Sequence, residues 1–327
     1  MPQPLQTDST IRTRLAILLL LLCSALPAQN RDERISTQYA GPNAFPVPDM
    51  LDGRVSPALK AELAADYYHG FAKDRTADLF ARLYIPLFTK RVNLTLWMPV
   101  CEWYEMTTLR QQQCLLQTEQ PIRGHGAGDV YISTDMQLLV ARRWWPDIAL
   151  RAAMKTASGE QWFEAARHFD DPGYFFDLAV GKSLFITKEV KPAAERQSES
   201  DWELRLAASA GFLCWQTTTA RQDDAYMYGV QLLVRQQYVS ARVTWQGYTG
   251  WKRNGDMPMT LKAELRVHIK GFEPFACYQY GLRDYPFHQF RLGIAYNVDI
   301  IGRKSKDNSQ KSKVEGQKPS MFLYSRK

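Results

Sequence analysis

The stretch that decides the fold is "MTLKAELRVHI", residues 259–269. Met259, Leu261, Ala263, Leu265, Val267 and Ile269 are apolar, while Thr260, Lys262, Glu264, Arg266 and His268 between them are polar or charged. Successive side chains of a strand point to opposite faces, so this period of two describes a β-strand with one apolar and one ionic face. In a soluble sheet the apolar face covers a core. In a membrane barrel it meets lipid, and the charges turn inward.

The same alternation recurs in segments 59–68, 77–87, 91–101, 129–139, 148–156, 174–184, 202–214, 225–235, 238–247, 275–283 and 288–298, which with the first stretch makes twelve predicted strands. Their length matches a tilted crossing of the hydrocarbon layer, about 9–11 residues, whereas soluble strands average roughly 5–6. The fold class expected is therefore all-β: a transmembrane, antiparallel, up-and-down barrel of twelve strands. An even number of antiparallel strands closes without leaving an edge, which lipid demands because an unpaired backbone group there costs several kcal/mol. The links largely alternate long and short, as periplasmic turns and outer loops do. Two depart: 185–201 is long where a turn belongs, and the last outer loop, 284–287, is brief. Trp97, Trp144, Trp145, Trp202, Trp215, Trp245, Trp251, Tyr67, Tyr226, Tyr280 and Tyr296 fall near predicted strand ends, where an interfacial girdle is expected.

No run of about 18 apolar residues offers a membrane helix, and mean hydropathy is −0.37. The one long apolar run, "LAILLLLLCSALPA" at 15–28, follows Arg12 and Arg14 and ends in small residues, the form of a secretory signal. Leu22 is too large for a good lipobox before Cys23. The expected organisation is a signal peptide over 1–29, an N-terminal periplasmic segment over 30–57, the barrel over 58–299 and a disordered tail over 300–327. The +7 net charge belongs mostly to that tail, where eight Lys and Arg stand against Asp307 and Glu315. For an exported protein such a tail reads as a solvated end, and no nucleic-acid partner is expected. Cys101 and Cys114 lie close enough in sequence for a bridge to be considered.

"RLGIAYNV" (291–298) resembles the closing-strand assembly signal of outer-membrane barrels, with polar Arg291, Gly293, aromatic Tyr296 and apolar Val298. "GDVYISTDMQLL", "ALRAAMKTASG", "GYFFDLAVGK" and "YGLRDYPFHQFRLGIAY" further resemble uncharacterised outer-membrane barrel proteins typical of Bacteroidota, over most of residues 50–298. This resemblance implies a Gram-negative outer-membrane location, with lipid and the barrel assembly machinery as partners, and no known reaction. Such barrels usually end at the closing strand, yet 29 residues, 299–327, follow it here.

An Arg or Lys on the lipid face costs about 2–4 kcal/mol at midplane, so the charges must look inward. By parity the lumen receives Arg82, Asp135, Arg151, Lys155, Asp177, Arg205, Arg242, Lys262, Glu264, Arg266 and Arg291, besides Lys60, Arg235, Glu62, Asp66, Asp78 and Glu203. These line a polar channel for small solutes, or form an ion-paired network that fills a narrow interior. Two alternatives to a passive channel are a lipid hydrolase of the phospholipase type and a structural or surface-binding barrel with a plugged lumen. For hydrolysis, His168 and Ser158 share one predicted outer loop and His268 faces the lumen, but no pair has convincing spacing, so no catalytic residue is assigned. "GHGAGD" (124–129) lacks the following helix that a phosphate loop needs. His69, His125, His168 and His288, with Asp170, Asp171, Asp223 and Asp224, are scattered over the loops and read as solvated. No metal and no cofactor are expected.

Overall fold

The computed structural model describes residues 43, 45–113, 122–142, 144–159, 172–187, 202–215, 224–251, 256–284 and 286–298. The expected secretory signal over 1–29, the expected tail over 300–327, His168 and Cys114, and with Cys114 the bridge considered to Cys101, lie outside the described residues.

Thirteen strands form one sheet: β1 Leu59–Gly70, β2 Arg75–Pro86, β3 Val92–Met106, β4 Ile122–Gly126, β5 Tyr131–Leu139, β6 Asp147–Lys155, β7 Gly173–Thr187, β8 Trp202–Trp215, β9 Asp224–Arg235, β10 Val239–Gly250, β11 Met259–Val267, β12 Phe272–Arg283 and β13 Phe287–Val298. Neighbours in sequence pair antiparallel, except that β3 pairs with β5 and, through its last residues, with β4. β1 pairs with both β2 and β13 in long unbroken registers, from Leu59↔Val298 to Gly70↔Phe287 on the closing side. The pairing of β2 with β3 completes the ring, so twelve of the thirteen strands form a closed barrel with no free edge. We call the end with Leu59 and Val298 the near end and the other the far end.

Each of the twelve predicted segments is a ring strand. The connection 102–128 differs from expectation. β3 runs on to Met106 and pairs with β4 there, giving a hairpin at the far end. The cause is a bulge: Leu79 pairs with Cys101 and Phe80 with Pro99, which leaves Val100 unpaired. One extra residue reverses the side-chain phase. Asn93, Thr95 and Pro99 are buried on odd numbers, then Glu102, Tyr104 and Met106 on even ones. A short helix, α1 Thr108–Gln113, follows, with the Thr107 hydroxyl accepting from the Arg110 amide at 3.2 Å.

The outward face is apolar and bare. Leu63, Leu178, Leu206, Val230, Leu232, Val243, Leu261, Leu265, Leu292 and Ile294 each expose more than a third of their surface. Exposed rings bound this band at both ends: Tyr67, Phe71, Trp103, Tyr174, Phe176 and Tyr226 at the far end, and Trp144, Trp145, Trp202, Tyr238, Phe272 and Tyr296 at the near end. A continuous apolar belt with aromatic rims is untenable in water and fits a bilayer. Two rings expected in the girdle lie elsewhere. Trp97 stacks on Tyr131 at 5.1 Å, and Trp215, 1% exposed, meets Phe175 edge-on, both inside the barrel.

Residues 45–57 are also inside. The expected periplasmic segment, 30–57, is described from Asn43 onward, and there it descends through the lumen from the far end, where Phe45 sits, to the near end, where it enters β1. It forms no strand with the wall, so wall side chains satisfy its backbone instead. Gln246 accepts from Met50 N at 3.1 Å, Gln137 accepts from Val55 N at 2.9 Å and donates to Gly53 O at 2.7 Å, Arg205 donates to Asp52 O at 2.7 Å, and Tyr248 donates to Phe45 O at 3.2 Å. Gly53, at φ +82°, lies so close to β7 that a Cβ there would stand 2.7 Å from Gly181 N.

Candidate functional site: the occupied lumen

The interior polar side chains come from the alternate positions of nearly every ring strand, and residues 45–57 divide the space they enclose. What remains is a cavity of about 490 Å³ between this inner segment and the wall. Arg82, Asp135, Arg151, Arg242, Lys262, Glu264, Arg266 and Arg291 line it. Lys155, Asp177 and Arg205 face inward too but are sealed: their side chains are 0%, 2% and 0% exposed, each in an ion pair with a neighbour.

Three groups of charges organise the lumen. On the wall near β1, β11 and β12, Arg266 donates to Glu62 at 2.9 Å, to Glu273 at 3.1 Å and to Glu264 at 3.2 Å, with Lys60 2.7 Å from Glu62. Higher up, Arg291 grips Asp66 through two bonds of 2.6 Å, and its guanidinium lies 4.2 Å from the centre of the Phe80 ring. Across the barrel Arg151 pairs with Asp177 at 2.7 Å, and Thr95 and Ser133 donate to Asp135 at 2.9 and 3.0 Å.

The third group ties the inner segment to the wall. Asp49 accepts from Lys262 at 2.7 Å and from Arg82 at 2.9 Å. Burial alone would raise the Asp49 carboxyl, but the facing Lys262 and Arg82 outweigh it and hold it well below the usual carboxylate range. Lower down, Arg54 spans Asp147 at 3.1 Å and Glu203 at 2.8 Å, while Asp147 also meets Arg205 at 2.8 Å. At the far end Asn43 donates to Asp78 at 2.7 Å and to Glu102 at 2.6 Å, and Phe45, 6% exposed, packs in a dry cluster with Phe175, Leu213, Trp215 and Tyr248.

The candidate assembly residues divide by face. Arg291 points inward, Tyr296 packs on Phe272 at 4.8 Å on the outer face, and Val298 pairs with Leu59 at the closing seam. At Gly293 a Cβ would fall 2.8 Å from that of Ala64.

Sequence reasoning missed the contribution of Asp49, Asp52 and Arg54, because "FPVPDMLDGRVSP" (45–57) has no period. Charged residues in an aperiodic, proline-rich stretch just ahead of the first strand were the available signal. It also missed the partners of His268. Nδ1 lies 2.9 Å from a Glu273 oxygen and Nε2 lies 3.0 Å from the Ser240 hydroxyl. On the lipid-facing side His288 bonds the Tyr278 hydroxyl at 2.8 Å. Among the described residues no bond joins a serine to a histidine there, which leaves the lipid-hydrolase alternative without support. Ser158, the loop candidate, bonds the Val130 amide and Thr156.

No protein-family model matches the chain, and the search of curated proteins finds no significant match. Among solved structures, an outer-membrane channel from Pseudomonas putida F1 is similar at a TM-score of 0.48 with 11% identity, covering 77% of this chain and 100% of that one. The KdgM porin is similar at 0.43 with 10% identity over 72% and 99% of the two chains. The transport unit of the autotransporter AIDA-I from Escherichia coli is similar at 0.46 with 9% identity over 83% and 100%. Likeness at this level fixes no function. The chain itself shows a closed twelve-stranded antiparallel barrel turned inside out, with its own N-terminal segment through the middle.

Proposed function

We propose that this protein is an outer-membrane barrel that passes or holds small polar solutes, and that residues 45–57 close its passage. The single observation that carries the reading is the ionic seating of that segment: Asp49 between Lys262 and Arg82, and Arg54 between Asp147 and Glu203. A belt of bare Leu, Val and Ile between two aromatic rims places the wall in lipid. The near end, with its short β2–β3, β9–β10 and β11–β12 turns, then faces the periplasm. In this reading the β13 residues Arg291, Gly293, Tyr296 and Val298 hand the chain to the assembly machinery.

The test is conductance in planar bilayers. The full chain should show rare, brief openings, and a variant lacking the Asp49 and Arg54 charges should show frequent ones. If that variant folds and stays silent, the lumen is filled for good. The second reading, a structural or surface-binding barrel with a plugged lumen, then takes over.

A further inference from the structure

We infer that Ser240, His268 and Glu273 form an acyl-transfer site inside the near end of the barrel, with Ser240 as nucleophile. The three residues come from three neighbouring places in the sheet: the second residue of β10, the turn after β11, and the start of β12. Their side chains form one chain of hydrogen bonds, Ser240 Oγ to His268 Nε2 at 3.0 Å and His268 Nδ1 to Glu273 Oε1 at 2.9 Å. Both distances lie in the roughly 2.6–3.2 Å range that links a nucleophile to its base and the base to its orienting group.

The direction of the bonds follows from the partners. Arg266 at 3.1 Å and Lys60 at 3.6 Å stand against Glu273, so it is a carboxylate and only accepts. Nδ1 of His268 must therefore carry the proton. In the neutral ring Nε2 is then the acceptor, and the Ser240 hydroxyl donates to it. This is the tautomer in which a histidine can take a serine proton.

Two further observations point to a ligand. All three residues line the 490 Å³ cavity, so a small molecule in the lumen reaches Ser240. Arg242 lies two residues along the same face of β10, and its Nε is buried without a hydrogen-bond partner in the structure. A buried guanidinium donor on that side is suited to an oxyanion.

The substrate class is a small, water-soluble carboxylic ester. Ser240 Oγ attacks the ester carbonyl carbon as its proton passes to His268 Nε2, giving a tetrahedral oxyanion beside Arg242. The C–O bond to the leaving alcohol breaks, and the alcohol takes the proton from His268. Water, deprotonated by the same nitrogen, then adds to the acyl-serine and releases the carboxylate with Ser240 restored. Glu273 is a positioning residue: it touches no substrate and acts through the imidazole.

The experiment uses the full chain folded in detergent, its folding checked by heat-modifiable gel mobility, with a fluorophosphonate as the probe and mass spectrometry to locate the adduct. The expected result is an adduct on Ser240 that is absent in Ser240→Ala and at least 100-fold slower to form in His268→Gln, on the order of the loss when a serine's base is removed. Glu273→Gln should slow labelling by a similar factor, and Glu273→Asp should restore part of the rate. An unlabelled Ser240 in folded wild-type protein overturns the proposal, as does labelling that is indifferent to His268.

Discussion

Asp49→Asn is the sharpest probe of the closed lumen. The substitution keeps the shape of the side chain and removes its charge. Lys262 at 2.7 Å and Arg82 at 2.9 Å then lose their shared anion, and the next carboxylate, Glu62, is 4.0 Å from Arg82. Breaking a fully buried pair costs about 3–5 kcal/mol, while an exposed pair contributes at most about 1. The side chains of Asp49, Arg82 and Lys262 are 30%, 16% and 14% exposed, so the loss falls between these limits, at about 2 kcal/mol. At about 1.4 kcal/mol per tenfold, the ratio of displaced to seated segment rises roughly 30-fold. Single-channel recording in planar bilayers at neutral pH and fixed salt reads this as open fraction. The wild type adds a second reading. A carboxyl held below its ordinary value contributes stability that is complete above that value, about 4, and is lost as pH falls through the lowered one. Wild-type protein should therefore stay closed from pH 7 to pH 5 and open only in strong acid, whereas Asp49→Asn should lack the acid step. An open fraction within threefold of wild type, in a variant with normal heat-modifiable mobility, refutes the ionic seating.

Ala263→Arg should cripple assembly into outer-membrane vesicles, because residue 263 is exposed at mid-strand and a lipid-facing Arg there costs about 2–4 kcal/mol. Glu264→Gln, one residue along and facing the cavity, should assemble normally; equal behaviour of the two would reverse the assigned faces. Gly181→Val should unseat the inner segment and leave the ring intact, since a Cβ at 181 overlaps the Asp52 carbonyl oxygen and the Arg205 guanidinium. Trypsin should then cut after Arg54 at least tenfold faster, and unchanged resistance would count against the close approach. Trp215→Ala should destabilise the folded barrel by about 3–5 kcal/mol, read as an earlier loss of heat-modifiable mobility in denaturant. A girdle tryptophan facing lipid would lose much less.

Period-two alternation made the ring legible because each wall residue has only two environments, lipid or lumen. Every one of the twelve segments carries that choice in its residues. Where the signal failed, the phase or the period had changed. The bulge at Val100 shifts the pattern by one, so Glu102, Tyr104 and Met106 read as loop although they continue β3. Trp97 and Trp215 were assigned by nearness to a strand end, which says nothing about the face. Their parity does: Trp97 follows Asn93 and Thr95, and Trp215 follows Glu203 and Arg205, all of them inward. The inner segment could not be read in this way. Its conformation answers to side chains from seven different strands, and no local period survives such a surround. The same holds for Ser240, His268 and Glu273, which lie up to 33 residues apart and meet only through the β10–β11 and β11–β12 registers.

The distribution of charge bears on whether residues 45–57 are a gate or a filler. Arg266, Glu62, Glu264 and Glu273 satisfy one another within the wall, as do Arg291 and Asp66. These groups need nothing from the inner segment. Arg82 and Lys262 are different: their short carboxylate contact is Asp49, which the segment supplies. Leaving the lumen would hand these cations to water, which solvates them well, and Phe45 would give up about 1.5–3 kcal/mol of burial. Every hydrogen bond of the ring would survive, since the segment contributes none of them. A filler would be fixed by a dry core that the barrel could not lose without collapsing. Here the charged attachments border a cavity and are concentrated at Asp49 and Arg54, so displacement costs a few ion pairs and the backbone bonds to Gln137, Arg205, Gln246 and Tyr248, and leaves the fold standing. That is the energetic form of a gate, and it requires seating to weaken steeply with salt, because paired charges next to water are screened. Closure that held unchanged from dilute buffer to 1 M salt would mean that the Phe45 cluster, and not the ion pairs, keeps the segment in place.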